Sequence, residues 1–283
     1  MVLALAPLAP ALGAEISGVD LSRPLDDATA AAIRRALLDR QVLFFRDQAL
    51  TPARQVAFAA TFGPVGTYPF AAPIAEHPQV IAIVKEPHQT ANFGGLWHSD
   101  TPYLERPSAG SVLYALEVPE TGGDTIWAST ARAWETLSEG LRATLLPLRA
   151  VHSAAKNKAR LRADPLKGGP VRGLAEDTME AMEAIHPVVR RHPETGRPAL
   201  YLSPAHTVRF EGWSEAESAP LLDYLFRHMT AEENTVRFRW TAGTVAIWDN
   251  RCTLHYPLND YHGQRRALHR VTIEGERPQP AVP

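Results

Sequence analysis

The chain contains the stretch Trp97-His98-Ser99-Asp100, which predicts the rim of a β-strand that carries two metal ligands. Side chains two positions apart on a strand point to the same side. His98 and Asp100 can therefore present an imidazole nitrogen and a carboxylate oxygen to one ion. A His-x-Asp triplet alone is weak evidence, because such triplets also arise by chance at polar strand ends and turns. The prediction of a metal site needs a third ligand.

A second polar stretch far downstream supplies that ligand. It reads Trp248-Asp249-Asn250-Arg251-Cys252-Thr253-Leu254-His255. His255 is distant from His98 in sequence, but the two are adjacent if the chain closes into a barrel. Two histidines and one carboxylate on one face form the arrangement of non-haem Fe(II) sites, which keep positions open for oxygen and a co-substrate. Catalytic zinc remains an alternative, whereas Cys252 is the only cysteine and a cysteine-rich structural zinc site is disfavoured.

These motifs together resemble the Fe(II)/2-oxoglutarate-dependent dioxygenases of the taurine dioxygenase and chlorophenoxyacetate dioxygenase family. The resemblance covers nearly the whole chain. The matching segments are the opening residues 13–21, Trp97-His98-Ser99-Asp100, Gly122-Gly123-Asp124-Thr125, Trp248-Asp249-Asn250-Arg251, His255 and Gln264-Arg265-Arg266. The resemblance implies that His98, Asp100 and His255 are the metal ligands and catalytic residues. It also implies that O2 and 2-oxoglutarate are consumed, that succinate and CO2 are released, and that a small organic anion is hydroxylated.

The last predicted strand carries the candidate residues for both anions. Arg266, Leu268 and Arg270 share one face by the period of two. If that face points inward, Arg266 can form a bidentate pair with the distal carboxylate of 2-oxoglutarate, a geometry that lysine cannot match. The resemblance gives this role to Arg266 and to the Thr125 hydroxyl, and it places Arg270 where the family binds the anionic group of the substrate.

Three positions bear on the substrate. His206 falls where taurine dioxygenases carry a phenylalanine in the substrate pocket, and Tyr68 falls where they carry a histidine, so both are candidate substrate contacts. Gly94 replaces an asparagine that contacts substrate in those enzymes. Taurine itself is therefore in doubt, and a sulfonate, a sulfate ester or an aryloxyalkanoate fits Arg270 equally well.

Short strand-like segments separated by turns, with a few amphipathic helices, indicate a mainly β fold with outer helices. Helices are predicted to begin at Asp26, at Thr51-Pro52 and at the capping box Ser214-Glu215-Ala216-Glu217, and a further helical stretch is predicted around Glu176 to Ala184. The form expected is a double-stranded β-helix, or jelly roll, of the cupin type. At 283 residues with 45% hydrophobic side chains, the chain can build a sizeable core, and we expect residues 1–283 to form a single domain. Residues 153–173 have no sustained hydrophobic period and six basic residues, which suggests a mobile lid or a merely solvated loop.

Charge and composition limit the partners. A net charge of −2 gives no general reason to expect nucleic acid or an anionic membrane surface. The apolar N-terminus lacks a basic region and is interrupted by Pro7 and Pro10, so we expect a cytoplasmic protein without a signal peptide. Assembly into a homo-oligomer stays open. The remaining histidines are expected at the surface, except for three expected in the core or behind a ligand, which are His152, His186 and His269.

Two other function classes remain at this point. One is a non-catalytic small-molecule binding or sensor protein on the same fold, since a fold does not determine function. The other is a hydrolase that uses a divalent metal other than iron. The intact triad with Thr125 and Arg266 argues against a sensor, and a hydrolase would have no use for the Thr125 and Arg266 pair. Consumption of 2-oxoglutarate separates both from a dioxygenase.

Overall fold

The computed structural model describes residues 3–68, 71, 73–156 and 182–281, which form a mainly β protein with five described helices. The helices are α1 (Asp27–Arg40), α2 (Pro52–Ala60), α3 (Thr130–Glu135), α4 (Glu139–Leu145) and α5 (Glu215–Met229). The strands are β1 (Ala4–Pro7), β2 (Ala14–Ser17), β3 (Val42–Phe45), β4 (Val65–Gly66), β5 (Pro73–Ile74), β6 (His77–Lys85), β7 (Gly110–Glu117), β8 (Thr125–Ser129), β9 (Arg149–Ser153), β10 (Glu183–Pro187), β11 (Val189–Arg191), β12 (Pro198–Leu200), β13 (Thr207–Phe210), β14 (Thr235–Phe238), β15 (Val245–Asp249), β16 (Thr253–Pro257), β17 (Arg266–Ile273) and β18 (Gln279–Pro280).

Two sheets form the centre of the molecule. The major sheet has nine strands; its main path runs β1-β2-β3-β15-β7-β17-β6-β5, and β4 pairs with β17. The minor sheet has the order β14-β8-β16. Large apolar side chains from both sheets pack in one cluster, including Phe44, Trp127, Phe238, Trp240, Trp248 and Leu268. This arrangement is the predicted jelly roll, closed around an aromatic core.

Helices α1 and α2 cover the other face of the major sheet. Ile33 and Phe58 insert into the apolar cluster on that face. Both helices begin at side-chain caps, because Asp26 accepts a hydrogen bond from Thr29 N and Thr51 accepts one from Arg54 N. These two predicted helix starts are confirmed.

Helix α5 begins with the predicted capping box between Ser214 and Glu217. Its side chains Leu222, Leu225 and Met229 are buried in a separate apolar cluster with α3, α4 and the strands next to them. The helix therefore braces the minor-sheet side of the molecule, as its amphipathic pattern predicts.

Three local predictions need correction or lie outside the described residues. Trp97 to Asp100 do not form a strand; His98 makes an isolated bridge with His255, and the chain then bends at Asp100. The helix predicted around Glu176 to Ala184 is wrong at its described end, since Glu183 and Ala184 begin β10. The lid predicted at 153–173 lies outside the described residues from 157 onward, and Ser153 ends β9. In the described part of the chain, no helix is long and apolar enough to cross a membrane.

Candidate active site

The three predicted metal ligands meet at one edge of the minor sheet. His255 lies on β16, and its backbone exchanges hydrogen bonds of 3.0 and 2.8 Å with the backbone of His98. Asp100 follows in the adjoining bend. The Nε2 atoms of both histidines lie 3.9 Å from Asp100 Oδ1. Ligand atoms of all three residues lie within 4.8 Å of one another, and all three side chains are buried.

The two oxygens of Asp100 have different environments. Oδ2 accepts hydrogen bonds from Ser111 Oγ at 2.9 Å and from Asn250 Nδ2 at 3.0 Å. Oδ1 faces the two imidazoles and the guanidinium of Arg270, whose Nη2 lies 3.1 Å away. One oxygen therefore orients the carboxylate while the other points to the centre of the triad.

Asn250, which the sequence analysis quoted in a motif without giving it a role, is itself held in place. Trp248 Nε1 donates to Asn250 Oδ1 at 2.9 Å, which leaves the amide nitrogen to donate to Asp100. Ser99 Oγ donates to the Asn250 carbonyl at 3.0 Å. Trp248 and Asn250 thus orient the Asp100 carboxylate, as hydrogen-bond partners behind a metal site commonly do.

The protonation states suit a divalent cation. His98 Nδ1 donates to the Leu96 carbonyl at 2.7 Å, so its Nε2 carries the free lone pair. Burial lowers the pKa of both His98 and His255. Burial opposes ionisation of Asp100, but Arg270 and the two histidines outweigh it and hold the pKa of this carboxyl below its ordinary value. The site therefore offers two neutral imidazoles and one carboxylate, the donor set of a non-haem Fe(II) centre.

Arg266 and Thr125 both contact Trp240, and together they offer donors that fit a carboxylate. Arg266 is 5% exposed, and its Nε and Nη2 atoms have no hydrogen-bond partner. Trp240 Nε1 donates to Thr125 Oγ1 at 3.0 Å, so the Thr125 hydroxyl hydrogen is available to donate elsewhere. Unsatisfied buried guanidinium nitrogens are costly unless an anion completes them. These donors match the distal carboxylate predicted for 2-oxoglutarate.

The three candidate substrate residues are connected to the triad through Arg270, which contacts Asp100, and through Tyr103, which packs near Tyr68. The guanidinium of Arg270 lies 4.7 Å above the Tyr68 ring. His206 packs edge-on against Tyr103 at 5.0 Å, and burial lowers the pKa of His206 to about 3. Burial also raises the pKa of Tyr68 and of Tyr103, a neighbour that the sequence analysis did not identify. The pocket therefore pairs one cation with neutral aromatic and imidazole side chains.

Gly94 lies directly against the triad. Its φ of +75° is a conformation that L side chains rarely adopt, and a Cβ added there would lie 2.8 Å from His98 Cε1. The backbone approach to the ligand ring thus requires glycine. Gly94 is one of the three positions at which the sequence is expected to differ from the taurine enzymes.

A second group of ligand-type side chains, His192, Asp249 and Cys252, is also buried. The prediction of His192 at the surface is wrong, because its Nε2 hydrogen-bonds Asp249 Oδ2 at 2.9 Å. Arg251 contacts both oxygens of Asp249, at 2.8 and 2.6 Å. With the carboxylate fully engaged and the pKa of Cys252 raised by burial, this group is a structural network and not a second metal centre.

Comparisons with known proteins agree with the arrangement of the first triad. The model of the family described as "Taurine catabolism dioxygenase TauD, TfdA family" matches residues 4–272. The alpha-ketoglutarate-dependent sulfate ester dioxygenase of Pseudomonas putida is 42% identical over 274 residues, covering 96% of this chain and 89% of that protein. The alkylsulfatase of Acinetobacter baylyi is 38% identical over 275 residues, covering 94% and 83%. The crystal structure of a taurine dioxygenase from Burkholderia xenovorans has a TM-score of 0.82 and 38% identity, covering 98% and 91%.

Proposed function

The chain belongs to the TauD, TfdA family of dioxygenases, and we propose that His98, Asp100 and His255 hold its Fe(II). It is a 2-oxoglutarate-dependent dioxygenase that acts on a small organic anion and uses Fe(II) and O2. When bound, the iron supplies the redox chemistry that couples decarboxylation of 2-oxoglutarate to hydroxylation of the substrate. The protein supplies binding, orientation and charge.

The observation that carries the assignment of the metal site is that the two carboxylate oxygens of Asp100 have different contacts. Ser111 and Asn250 hold Oδ2, so the carboxylate cannot rotate away from the two Nε2 atoms, each 3.9 Å from Oδ1. The hydrogen bond from His98 Nδ1 to the Leu96 carbonyl likewise fixes this imidazole in the tautomer whose Nε2 lone pair can bind a metal. Preorganised ligands of this kind bind metal without a cost for reorientation.

Arg266 and Thr125 bind the distal carboxylate of 2-oxoglutarate. The buried guanidinium offers two unpaired nitrogens, and the Thr125 hydroxyl, oriented by Trp240, offers one further donor. Charge-assisted pairs of this type are stronger than neutral hydrogen bonds. They fix one end of the co-substrate, so that its 2-oxo acid end is directed toward the triad.

We place the substrate among sulfate esters, with Arg270 as the residue that binds the sulfate group. The support is the activity for which the relatives that are 42% and 38% identical are named, together with a buried guanidinium beside the triad. Hydroxylation inserts one oxygen of O2 into the C–H bond next to the ester oxygen. The C–O bond to sulfate then breaks, the new hydroxyl loses its proton, and an aldehyde and sulfate are released.

Product analysis on a matched substrate panel tests this proposal. A linear alkyl sulfate, the alkyl sulfonate of equal chain length and an aryloxyalkanoate would each be incubated with enzyme, Fe(II), 2-oxoglutarate and O2. The proposal predicts one sulfate, one aldehyde and one succinate per turnover of the alkyl sulfate. Turnover of the sulfonate or the aryloxyalkanoate at a higher kcat/KM would overturn the sulfate-ester assignment and leave the dioxygenase chemistry intact.

A further inference from the structure

A second buried cation lies beside Arg266. Lys85 is the last residue of β6, and in the antiparallel pairing of β6 with β17 it stands directly opposite Arg266. Lys85 is 3% exposed and Arg266 is 5% exposed. Like charges directly opposite each other destabilise a sheet, and buried charges are costly unless they are paired. The burial of two cations directly opposite each other therefore requires a physical explanation.

The described neighbours of Lys85 do not supply a close countercharge. Its Nζ donates to Asn259 Oδ1 at 2.9 Å and lies 4.0 Å from the centre of the Tyr261 ring. Within residues 3–68, 71, 73–156 and 182–281, no carboxylate oxygen comes within 4.0 Å of Lys85 Nζ or of the Arg266 guanidinium. Burial lowers the pKa of Lys85, and the more distant Asp260 acts in the opposite direction.

Tyr261 connects the two cations. Its ring is buried, with Lys85 Nζ at 4.0 Å and Arg266 Cζ at 6.0 Å from the ring centre. Burial lowers the pKa of Arg266, and Tyr261 and the more distant Asp124 act against that shift. The Lys85 ammonium therefore lies against the ring that also borders the Arg266 guanidinium, and it adds a second positive charge to the same low-dielectric region.

We propose that Lys85 is a positioning residue for 2-oxoglutarate. It acts through Tyr261 and through its own charge to favour binding of the distal carboxylate at Arg266. This inference rests on the proposed function of Arg266. A dianionic co-substrate resolves the two-cation problem, because its distal carboxylate neutralises one charge and is attracted by both. The Asn259 amide holds the ammonium in place without neutralising it.

A comparison of two 2-oxo acids distinguishes an effect of the Lys85 charge from a general structural effect of replacing the residue. 2-Oxopentanoate has the same carbon chain as 2-oxoglutarate but lacks the distal carboxylate. Dissociation constants for both would be measured by anaerobic calorimetry on the Fe(II)-loaded protein. Lys85→Met is expected to weaken 2-oxoglutarate binding on the order of tenfold and to leave 2-oxopentanoate binding within about twofold. A purely structural role would weaken both acids equally and would overturn the proposal.

A second variant keeps the test informative if Lys85→Met does not fold, and a matched control shows whether removal of any neighbouring cation has the same effect. Asn259→Asp keeps the side-chain shape, places a carboxylate against Lys85 and is expected to reproduce the selective loss even if Lys85→Met fails to fold. Arg265→Met removes a cation from the neighbouring position, where Arg265 pairs at the surface with Glu86 and Glu117, and should leave both acids unaffected. Wild-type protein that binds no 2-oxoglutarate would overturn the proposed function itself; wild-type binding with unchanged affinity in both variants would overturn only the role of Lys85.

Discussion

Asp100 and Arg270 form a buried ion pair at the centre of the site, with Nη2 of the guanidinium 3.1 Å from Oδ1 of the carboxylate. Each side chain is 3% exposed. The same carboxylate oxygen faces both ligand imidazoles. The residue proposed to bind the substrate anion is thus in direct contact with the residue proposed to bind the metal.

Replacement of Arg270 tests its role on the substrate side. Arg270→Gln removes the only guanidinium that contacts Asp100 among the described residues, and it should raise the KM for the anionic substrate about tenfold or more, as expected for a lost charged hydrogen bond. The affinity for 2-oxoglutarate should change by less than about twofold, because Arg266 is untouched. Steady-state kinetics with each substrate varied separately would measure this. Equal losses for both molecules would contradict the division of labour between the two arginines.

Gly94 should prove essential for the geometry of His98. Gly94→Ala places a Cβ 2.8 Å from His98 Cε1 in addition to straining a backbone with φ of +75°. Gly212→Ala is a matched control, since Gly212 has φ of +79° and no heavy atom within 4 Å of an added Cβ. Backbone strain should cost both variants roughly 1 kcal/mol of stability, and Gly94→Ala should lose more because of the close contact with His98. Only Gly94→Ala should weaken metal binding, as followed by metal titration; similar metal affinity in the two variants would refute the contact.

Asn250 should tune metal affinity without touching the ion. Asn250→Ala removes one of the two donors to Asp100 Oδ2 and the acceptor of Trp248 Nε1. Loss of such a partner typically costs tenfold to a hundredfold in metal affinity. Ser111→Ala removes the other donor alone and should cost less. Titration of both variants with Mn(II) or Fe(II) would reveal this order, and unchanged affinity in Asn250→Ala would contradict the orienting role.

His186 should contribute to loss of stability in mild acid. Burial lowers its pKa to about 4 from an ordinary value of 6.5, so the folded protein holds it neutral while the unfolded chain takes up a proton. Its contribution to stability is complete above pH 6.5 and is lost as the pH falls toward 4. The free energy of unfolding should decrease over this range, and His186→Gln should reduce the slope by up to about 1.4 kcal/mol per pH unit. Chemical denaturation at several pH values measures it; an unchanged slope would show that His186 is not buried neutral.

Much of the site follows from sequence because its chemistry is local or periodic. The family resemblance, the jelly roll and the use of 2-oxoglutarate are confirmed. The period of two places Arg266 and Arg270 on one face of the last strand, and in the structure both are buried. Helix starts at Asp26, Thr51 and Ser214 follow from caps that involve residues only three positions apart.

The remainder depends on contacts that no local pattern encodes. His192 follows a strand and precedes a turn, which predicted exposure, yet the fold buries it against Asp249. Trp97 to Asp100 have the alternation of a strand but find a partner only at His98, so a bridge forms where a strand was expected. Lys85 faces Arg266 only because β6 and β17 pair in one particular register. A single sequence does not specify that register.

The central claim is that the triad and Arg266 together bind Fe(II) and 2-oxoglutarate. Anaerobic titration of the purified protein with both, followed by visible spectroscopy, tests it most directly. A weak charge-transfer band of chelated co-substrate should appear in wild type and should weaken in Arg266→Ala at limiting 2-oxoglutarate, while Arg265→Ala should match wild type. Iron binding without any such band in the wild-type protein would contradict the account.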